Sequence, residues 1–600
     1  MQRSNGGFSV DNLFSLNASA TPKRPRPSST ASASRPSHLS SSPLHANGHS
    51  TPQHRPTPGP SRLNGGVGSS PAGFPSPATP ASPSAPTIPF SSRSDPLSIQ
   101  ETLNSHLPLP TPAETAAGGD KPRVRLAAAT DPKDYDYRIG YERSMERSEV
   151  LDRIIDEAAE VFREYYQIEE FGDPSMQSQE DILVLGRLCP ETDSSKLSET
   201  STWLESSRTL GSGARVLLKY EKDMKVRGAP AGGGGVGMFP GCIVGLKGRN
   251  GGGKLFAVKE VLMMPPLDAS YTSPSELLSH QYGDSTKELA GNPMSVFVAS
   301  GPYTIDSDLD FEPLQELVDM AKREKPDVVI LTGPFLDSSH PLIQRGEIDD
   351  LPSTLFRRHI SAKLASLVAV SPRTAVILIP NGRDLVSNHT AFPQAPLVKE
   401  PELGLPKAVR LLPNPCQFSI NEVVFGVASV DVLWALKSQE FFRKCGDAEV
   451  VPEGEADDAM AKDVMARVGR HLLRQKSFYP LFPSPPPSKM LDQLNLDITH
   501  YDLVRMGKDG EGGPDVIIAP SVQKQFTRII DSTILLNPSF LSKPSAPSSA
   551  GTFARLTIHP MDRASLEELQ SAGNVDQGGE PDDPVEHRVW ERCRVDLIKV

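Results

Sequence analysis

Cysteine is scarce in this chain, with five in 600 residues, at positions 189, 242, 416, 445 and 593. No two stand at a metal-site spacing such as Cys-x-x-Cys, and an odd number so widely separated does not suggest a disulfide framework. A reducing compartment is the simpler reading. Long apolar runs are missing too. None approaches the ~18 residues needed to span a bilayer, and the N-terminus lacks the apolar core of a signal peptide, so no membrane partner is expected. Positive charge is in deficit: 62 Lys and Arg against 74 Asp and Glu leave a formal net charge of -12, which argues against bulk nucleic-acid binding. There is no Gly-x-Ser-x-Gly elbow. The Gly run at 232–235 lacks the Lys-Ser/Thr of a phosphate-binding P-loop and reads as a flexible loop between strands.

What the chain has in abundance is proline and glycine, 58 and 46 residues, concentrated in its first part and a few later loops. Residues 1–130 are dominated by Ser, Pro, Ala, Gly and Thr. Such a segment cannot bury enough apolar surface to offset the entropy of ordering it, and it is expected to be disordered. Within it, 8–16 and 98–107 carry apolar residues at near-helical spacing. They could order on a partner, and chance clustering in a linker fits equally well. Lys23-Arg24-Pro25-Arg26 is a short basic cluster of the kind that serves nuclear import, although such clusters also arise by chance. Ser or Thr precedes Pro at Thr21, Ser42, Thr51, Thr57, Ser70, Ser76, Thr79, Ser82 and Thr111. Proline-directed kinases could reach all of these in a disordered chain. Thr21 stands beside the basic cluster and is the best single candidate, while proline-rich composition alone would produce many such pairs.

Order is expected from about residue 135. Leu151, Ile154, Ile155, Ala158, Phe162 and Tyr165 recur at helical spacing. Strand-like runs follow at 181–186, 214–220, 241–246 and 254–263, the last two joined by a Gly-rich turn at 247–253. Several short strands without long helices between them suggest an OB-like barrel over 135–265. From about 290 the rhythm changes. Buried-strand candidates at 295–299, 327–331, 375–379, 422–427 and 515–519 alternate with helices that include Leu314, Leu317, Val318 and Ala321, or lie over 354–367 and 460–473. That alternation predicts a layered α/β domain over 290–600. Stretches 445–463 and 572–586 read as surface insertions, and 587–600 as a closing strand.

The chemistry lies at the strand ends. The stretch 377–384 is a buried strand running into a tight loop, and it resembles the Gly-Asn-His-Asp/Glu loop of calcineurin-like metallophosphoesterases. The corresponding positions here are Asn381, Gly382, Arg383 and Asp384. Glycine has no donor atom, and arginine is a permanent cation that repels a metal ion. The other strand ends are similarly empty of ligands. Ser300-Gly301-Pro302 stands where an Asp-x-His pair would be, and Pro334 stands where a bridging Asp would be. Pro520 follows the fourth strand in place of His, and Asn537 opens a last loop without Gly-His-x-His. A two-metal site needs several Asp, His and Asn ligands around ions ~3.5–4 Å apart. The eight histidines of the folded region fall elsewhere and read as surface or structural residues. The site is read as dead, with no catalytic or metal-binding residue and no cofactor.

The barrel offers Lys219, Lys222, Lys225, Arg227, Lys247, Arg249, Lys254 and Lys259, with Tyr220, Phe239 and Phe256 as its few aromatics. Single-stranded nucleic acid could use such a surface. A solvated charged surface on a protein-binding barrel is the favoured reading.

Longer motifs point to a family. Ser300-Gly301-Pro302-Tyr303-Thr304, Pro326-Asp327-Val328, Gly333-Pro334-Phe335-Leu336-Asp337 and Leu412-Pro413-Asn414-Pro415-Cys416 resemble the B-subunit family of DNA polymerase alpha. So do Phe239-Pro240-Gly241, Tyr479-Pro480-Leu481 and the run at 551–556. The order and spacing agree from about residue 135 to the C-terminus. The resemblance implies an OB domain joined to an inactivated calcineurin-like phosphoesterase sandwich. It also implies a non-catalytic, nuclear subunit that grips the zinc-bearing C-terminal domain of the polymerase catalytic subunit. Primase subunits would be met through the complex, which makes RNA–DNA primers for replication. The tail could serve as a replisome adaptor, and contact with DNA would be weak or indirect. The family often begins with a small helical domain, whereas this chain starts in its low-complexity tail. A loss in the lineage and a truncated gene model are the two readings of that departure. Rival functions are an active metal-dependent phosphoesterase or nuclease, which predicts stoichiometric bound metal, and a single-strand-binding OB protein, which predicts binding that weakens steeply with salt.

Overall fold

The computed structural model describes residues 89–600 apart from 112–120, 193–195, 230–233, 284–288, 446–462, 489–493, 508–511, 544–547 and 573–582. The basic cluster at Lys23, Arg24 and Arg26 lies outside the described residues, as do segment 8–16 and every Ser/Thr-Pro site except Thr111, which is exposed.

Part of the stretch expected to be disordered is folded. Strands β1 (Ile99–Leu103) and β2 (Leu126–Ala128) fall within it. Segment 98–107 is therefore not a helical peptide. β1 adds antiparallel to the last strand of the chain, with Leu103 opposite Val595. Arg123, also inside the expected tail, is buried and makes a two-pronged ion pair with Asp327, each arm 2.9 Å. Local composition at these positions favours disorder, and pairing with residues hundreds of positions away overrides it.

The helix Ser144–Tyr166 buries Ile155, Ala158, Ala159 and Phe162. Tyr165, expected on its apolar face, is 58% exposed. Tyr166 turns inward in its place and donates its hydroxyl to the Met263 carbonyl at 2.7 Å. This helix packs on a closed barrel of five strands: β3 (Ile182–Pro190), β4 (Thr202–Glu205), β5 (Arg215–Arg227), β7 (Ile243–Arg249) and β8 (Leu255–Leu262). A short strand, β6 (Gly235–Met238), precedes β7. β5 and β8 run parallel, and β7 closes on β3 antiparallel. Numbered within the barrel the order is 1-2-3-5-4, the closure of an OB fold. β4 and β6 have only four residues each and leave little alternation for a sequence reading to detect. Gly235, expected in a loop, begins β6.

After the short strand β9 (Tyr271–Thr272) the α/β domain begins with β10 (Met294–Ser300), β11 (Val328–Thr332), β12 (Ala375–Ile379) and β13 (Val409–Leu411). It continues with β14 (Cys416–Ile420), β15 (Val423–Val427), β16 (Phe441–Lys444), β17 (Val516–Ile518), β18 (Phe526–Ile530) and β19 (Thr533–Asn537). β20 (Thr552–Ile558), β21 (Val585–Glu586) and β22 (Cys593–Lys599) complete it. Seven strands form one sheet in the order β1-β22-β20-β10-β11-β12-β13, and six form a second in the order β18-β19-β17-β15-β14-β2. β10 to β13 are mutually parallel, as are β15, β17 and β19. The sheets share a core in which Val296, Val298, Ile330 and Ile377 of the first join Phe425, Val427, Ile518 and Leu536 of the second. On the outer side of the seven-stranded sheet, Leu314, Leu317 and Val318 of the helix Glu312–Glu324 pack with Leu364 and Leu367 of the helix Ala362–Val370. Burial on both faces explains why these strands read as unbroken apolar runs such as Val-Val-Ile-Leu.

The expected closing strand is present from Cys593 to Lys599 but not over the residues before it. Val589–Arg592 forms a helical turn, and β22 lies between β1 and β20, one place in from the edge of its sheet.

Barrel and sandwich share one core. Leu188, Phe239 and Val244 of the barrel lie in the same buried cluster as Val432, Leu436, Leu472, Ile517 and Leu535 of the α/β domain. β6 pairs with β16 across the junction. The Gln475 side chain accepts from the Ile243 N–H at 2.8 Å and donates to the Ile243 carbonyl at 3.1 Å.

Candidate functional site

Parallel strands carry their loops to one end of the sheet, and in open α/β sheets that end is where sites are built. Register places the first three loops side by side, because Ser300 is opposite Thr332 and Thr332 is opposite Ile379. Ser300, Pro302, Pro334, Gly382 and Arg383 are therefore gathered at one rim. Pro520 follows β17 and Asn537 ends β19 at the corresponding end of the second sheet, whose strands β15, β17 and β19 are also parallel.

Contacts among these loops bring their backbones close together. A Cβ added at Gly301 would run into the Pro334 carbonyl, and one at Gly333 would meet the Asp384 carboxylate and the Asn381 N–H. Only glycine permits that approach. Asp384 is buried beneath the rim. Its carboxylate accepts N–H groups of Asn381 at 2.8 Å, Leu336 at 3.2 Å and Phe335. Burial pushes its pKa up to about 7, against those three hydrogen bonds, which favour the ionised form. Asp337, in the second loop, accepts from Ser339 through both N–H and hydroxyl, and pairs with Arg383 at 3.2 Å.

The remaining loops are joined by neutral side chains. Asn381 donates to the Ser429 carbonyl at 2.7 Å, and the Ser429 hydroxyl donates to the Pro380 carbonyl at 2.6 Å. Asn414 accepts from the Ser429 N–H at 3.0 Å and donates to Gln394 at 3.3 Å, while Gln394 donates to the Asn381 carbonyl at 3.1 Å. Asp431 accepts N–H groups of Trp434 at 2.9 Å and Val522 at 2.8 Å. Burial is the first cause of its raised pKa. Asn537 accepts N–H groups of Ser521 at 2.9 Å and Ser539 at 2.8 Å. Leu541 and Ser542 return to the first loop, donating N–H groups to the carbonyls of Ser300 at 2.8 Å and Pro302 at 3.0 Å.

Oxygen donors facing a shared void hold metal ions. Here the carboxylates accept backbone N–H groups or an arginine, and the amides bind carbonyls and one another. The residues do not fit a metal pair. Among the described residues, no group of three or more His, Cys, Asp or Glu is arranged to hold an ion. Two of the histidines pair with carboxylates: His587 with Asp515 at 2.8 Å and His471 with Glu440 at 2.9 Å. Gln394, Asn414, Ser429 and Asp431 belong to the rim without having been singled out as site residues. The Leu-Pro-Asn-Pro-Cys motif held the clue to Asn414; Ser429 and Asp431 had no comparable signal.

Residues 296–528 match the family model of the B subunit of DNA polymerases alpha and epsilon, and 148–264 match that of the OB domain of the DNA polymerase alpha B subunit. The DNA polymerase alpha B subunit of Schizosaccharomyces pombe is 34% identical over 515 residues, which cover 84% of this chain and 79% of that protein. The protein of the same name from Saccharomyces cerevisiae is 30% identical over 512 residues, 79% and 67% of the two chains. That of Mus musculus is 26% identical over 498 residues, 82% and 74% of the two chains.

Proposed function

Because this chain belongs to the B-subunit family of DNA polymerase alpha, whose members are non-catalytic accessory subunits acting in DNA replication, we propose that it is a rigid scaffold of the polymerase alpha–primase complex. It binds the zinc-bearing C-terminal domain of the catalytic subunit and supports the synthesis of RNA–DNA primers. In this reading the sandwich is a calcineurin-like phosphoesterase whose strand-end loops have been refilled with amides, hydroxyls and prolines. The carrying observation is the core shared by barrel and sandwich. A partner that touches both is held at one fixed geometry, and no ordering entropy is lost between the two halves when it docks.

The tail extends the proposal. Lys23, Arg24 and Arg26 direct nuclear import. Phosphorylation at Thr21 adds negative charge beside that cluster and weakens its recognition.

Residues 89–600 mixed with the C-terminal domain of the catalytic subunit should elute as a one-to-one complex whose mass is measured by light scattering. Two separate peaks would sink the scaffold reading. Replacing Lys23, Arg24 and Arg26 together by Ala should shift a fluorescent fusion from the nucleus to the cytoplasm.

A further inference from the structure

The barrel carries a strongly charged wall. Residues 215–227 and 243–262 contain nine Lys and Arg against three Asp and Glu, a local reversal in a chain with an excess of acids. Register places these cations together. Arg249 and Lys219 both stand opposite Ala257, from the two sides of β8. Phe256 and Val258 point into the barrel. Ala257 and its two neighbours therefore face outward, because side chains alternate along a strand. Lys247 lies two residues before Arg249 on the same wall, and Lys254 sits in the turn between β7 and β8. Lys222 and Lys225 continue the line along β5, and both are exposed.

The electrostatics of a neighbouring acid agree with this clustering. Asp181 is held below the usual carboxylate range chiefly by the hydrogen bond from Lys259, with Arg249 and Lys247 adding to the effect. Lys259 bonds it at 2.7 Å, and Arg227 is paired with Glu260 at 2.9 Å. Among the described residues, Lys219, Lys222, Lys225, Lys247, Arg249 and Lys254 form no ion pair. Six cations without an ion pair on one wall repel one another, and the acids nearest them, Glu260 opposite Lys225 and Lys247 and Asp181 beside Lys259, are already paired with Arg227 and Lys259.

We propose that this wall, formed by β5, β8 and β7, binds the phosphate backbone of single-stranded nucleic acid. The cations extend about 20 Å along β5, from Lys219 to Lys225, and about 10 Å across the strands to Arg249. That extent matches a linear polyanion and exceeds a compact anion. The wall exposes a single large apolar side chain, Leu255, so a peptide would have little to grip besides charge. It has no exposed aromatic, so the contacts are to phosphates and carry no base preference. The turn before Lys254 leaves the backbone approachable, because a Cβ at Gly252 or Gly253 would meet nothing within 4 Å. OB barrels commonly bind oligonucleotides on strands 2 and 3; the wall identified here lies on strands 3, 5 and 4.

The test uses the full chain and a fluorescently labelled 16-nucleotide single strand, with anisotropy read from 50 to 200 mM salt. The quadruple variant K219Q/K247Q/R249Q/K254Q should weaken binding at least tenfold at 50 mM salt. It should also reduce the slope of log affinity against log salt by up to about 3, at ~0.7 per lost phosphate contact. A control with the same charge change elsewhere, K121Q/K133Q/K407Q/K524Q, should leave both readings near those of the parent. Equal losses in the two variants, or no loss in the first, would overturn the proposal. So would competition by poly-glutamate as effective as that by unlabelled oligonucleotide, which would make the wall a site for acidic peptides.

Discussion

Asp384 shows how one side chain can hold two loops together. Its carboxylate sits where three backbone N–H groups converge. Asp384→Ala should lower stability by about 2–4 kcal/mol, because several buried donors lose their acceptor at once. Chemical denaturation at pH 6 would measure it. The carboxyl also carries a pH signature. Its pKa in the fold is about 7, above the value of ~4 for an unfolded chain. Between about pH 4 and pH 7 the folded protein therefore retains a proton that the unfolded chain has released, and this group's contribution to stability falls as pH rises. Asp384→Asn cannot titrate. The difference in melting temperature between parent and Asn variant should change across that window and be flat above it. A difference independent of pH would show that the group is ionised throughout. Arg123 makes the complementary case. Replaced by Met, it leaves Asp327 as a buried charge without its partner, which typically costs about 3–5 kcal/mol. Asp327 would keep the hydrogen bond from the Ser295 N–H at 3.0 Å, too little to offset the lost guanidinium. Urea denaturation of the two proteins would give the difference.

Among the elements, those buried on both faces were legible and those recruited from afar were not. β10, β11, β12 and β15 are unbroken apolar runs with polar or Gly-rich ends, and the sequence reading placed them within a residue or two. The helix Ser144–Tyr166 was legible for a related reason, since its apolar positions repeat at the helical period. β1 and β2 gave no such signal. They are five and three residues long, set among Ser, Pro and Gly, and held by partners hundreds of residues away. β1 has a specific anchor in the Glu101–Arg528 pair at 2.9 Å, and Thr102 donates to Asp596 at 2.9 Å. A chain starting at residue 131, near where the sequence suggests that order begins, would lose both strands and Arg123. It would leave β22 as a bare edge, a template for pairing with other chains. We expect 131–600 to melt well below 89–600 and to show aggregates by light scattering, whereas 89–600 remains monodisperse. Equal melting temperatures would mean that β1 and β2 add nothing to the fold.

For the molecule as a whole, the barrel and the sandwich were read as successive domains. The structure merges them. The shared cluster, the β6–β16 pairing and the Gln475 bonds to Ile243 cross the junction. Burial this continuous couples the unfolding of its parts. Calorimetry on residues 89–600 should give a single transition, and two resolved peaks would show that barrel and sandwich unfold separately.

The sequence by itself determined where most of the buried strands and helices lie and which side chains stand at the strand ends. Those properties are local: they follow from which side chains occur and at what period. Its ordered motifs also pointed to the B-subunit family, to which the chain belongs. Only the tertiary structure decided that part of the expected tail completes both sheets, that two domains share one core and that the empty strand ends close into a rim of amides and hydroxyls. It also decided that scattered lysines and an arginine meet on one barrel wall. Each of these depends on contacts between residues far apart in the chain, and neither composition nor periodicity encodes such distances.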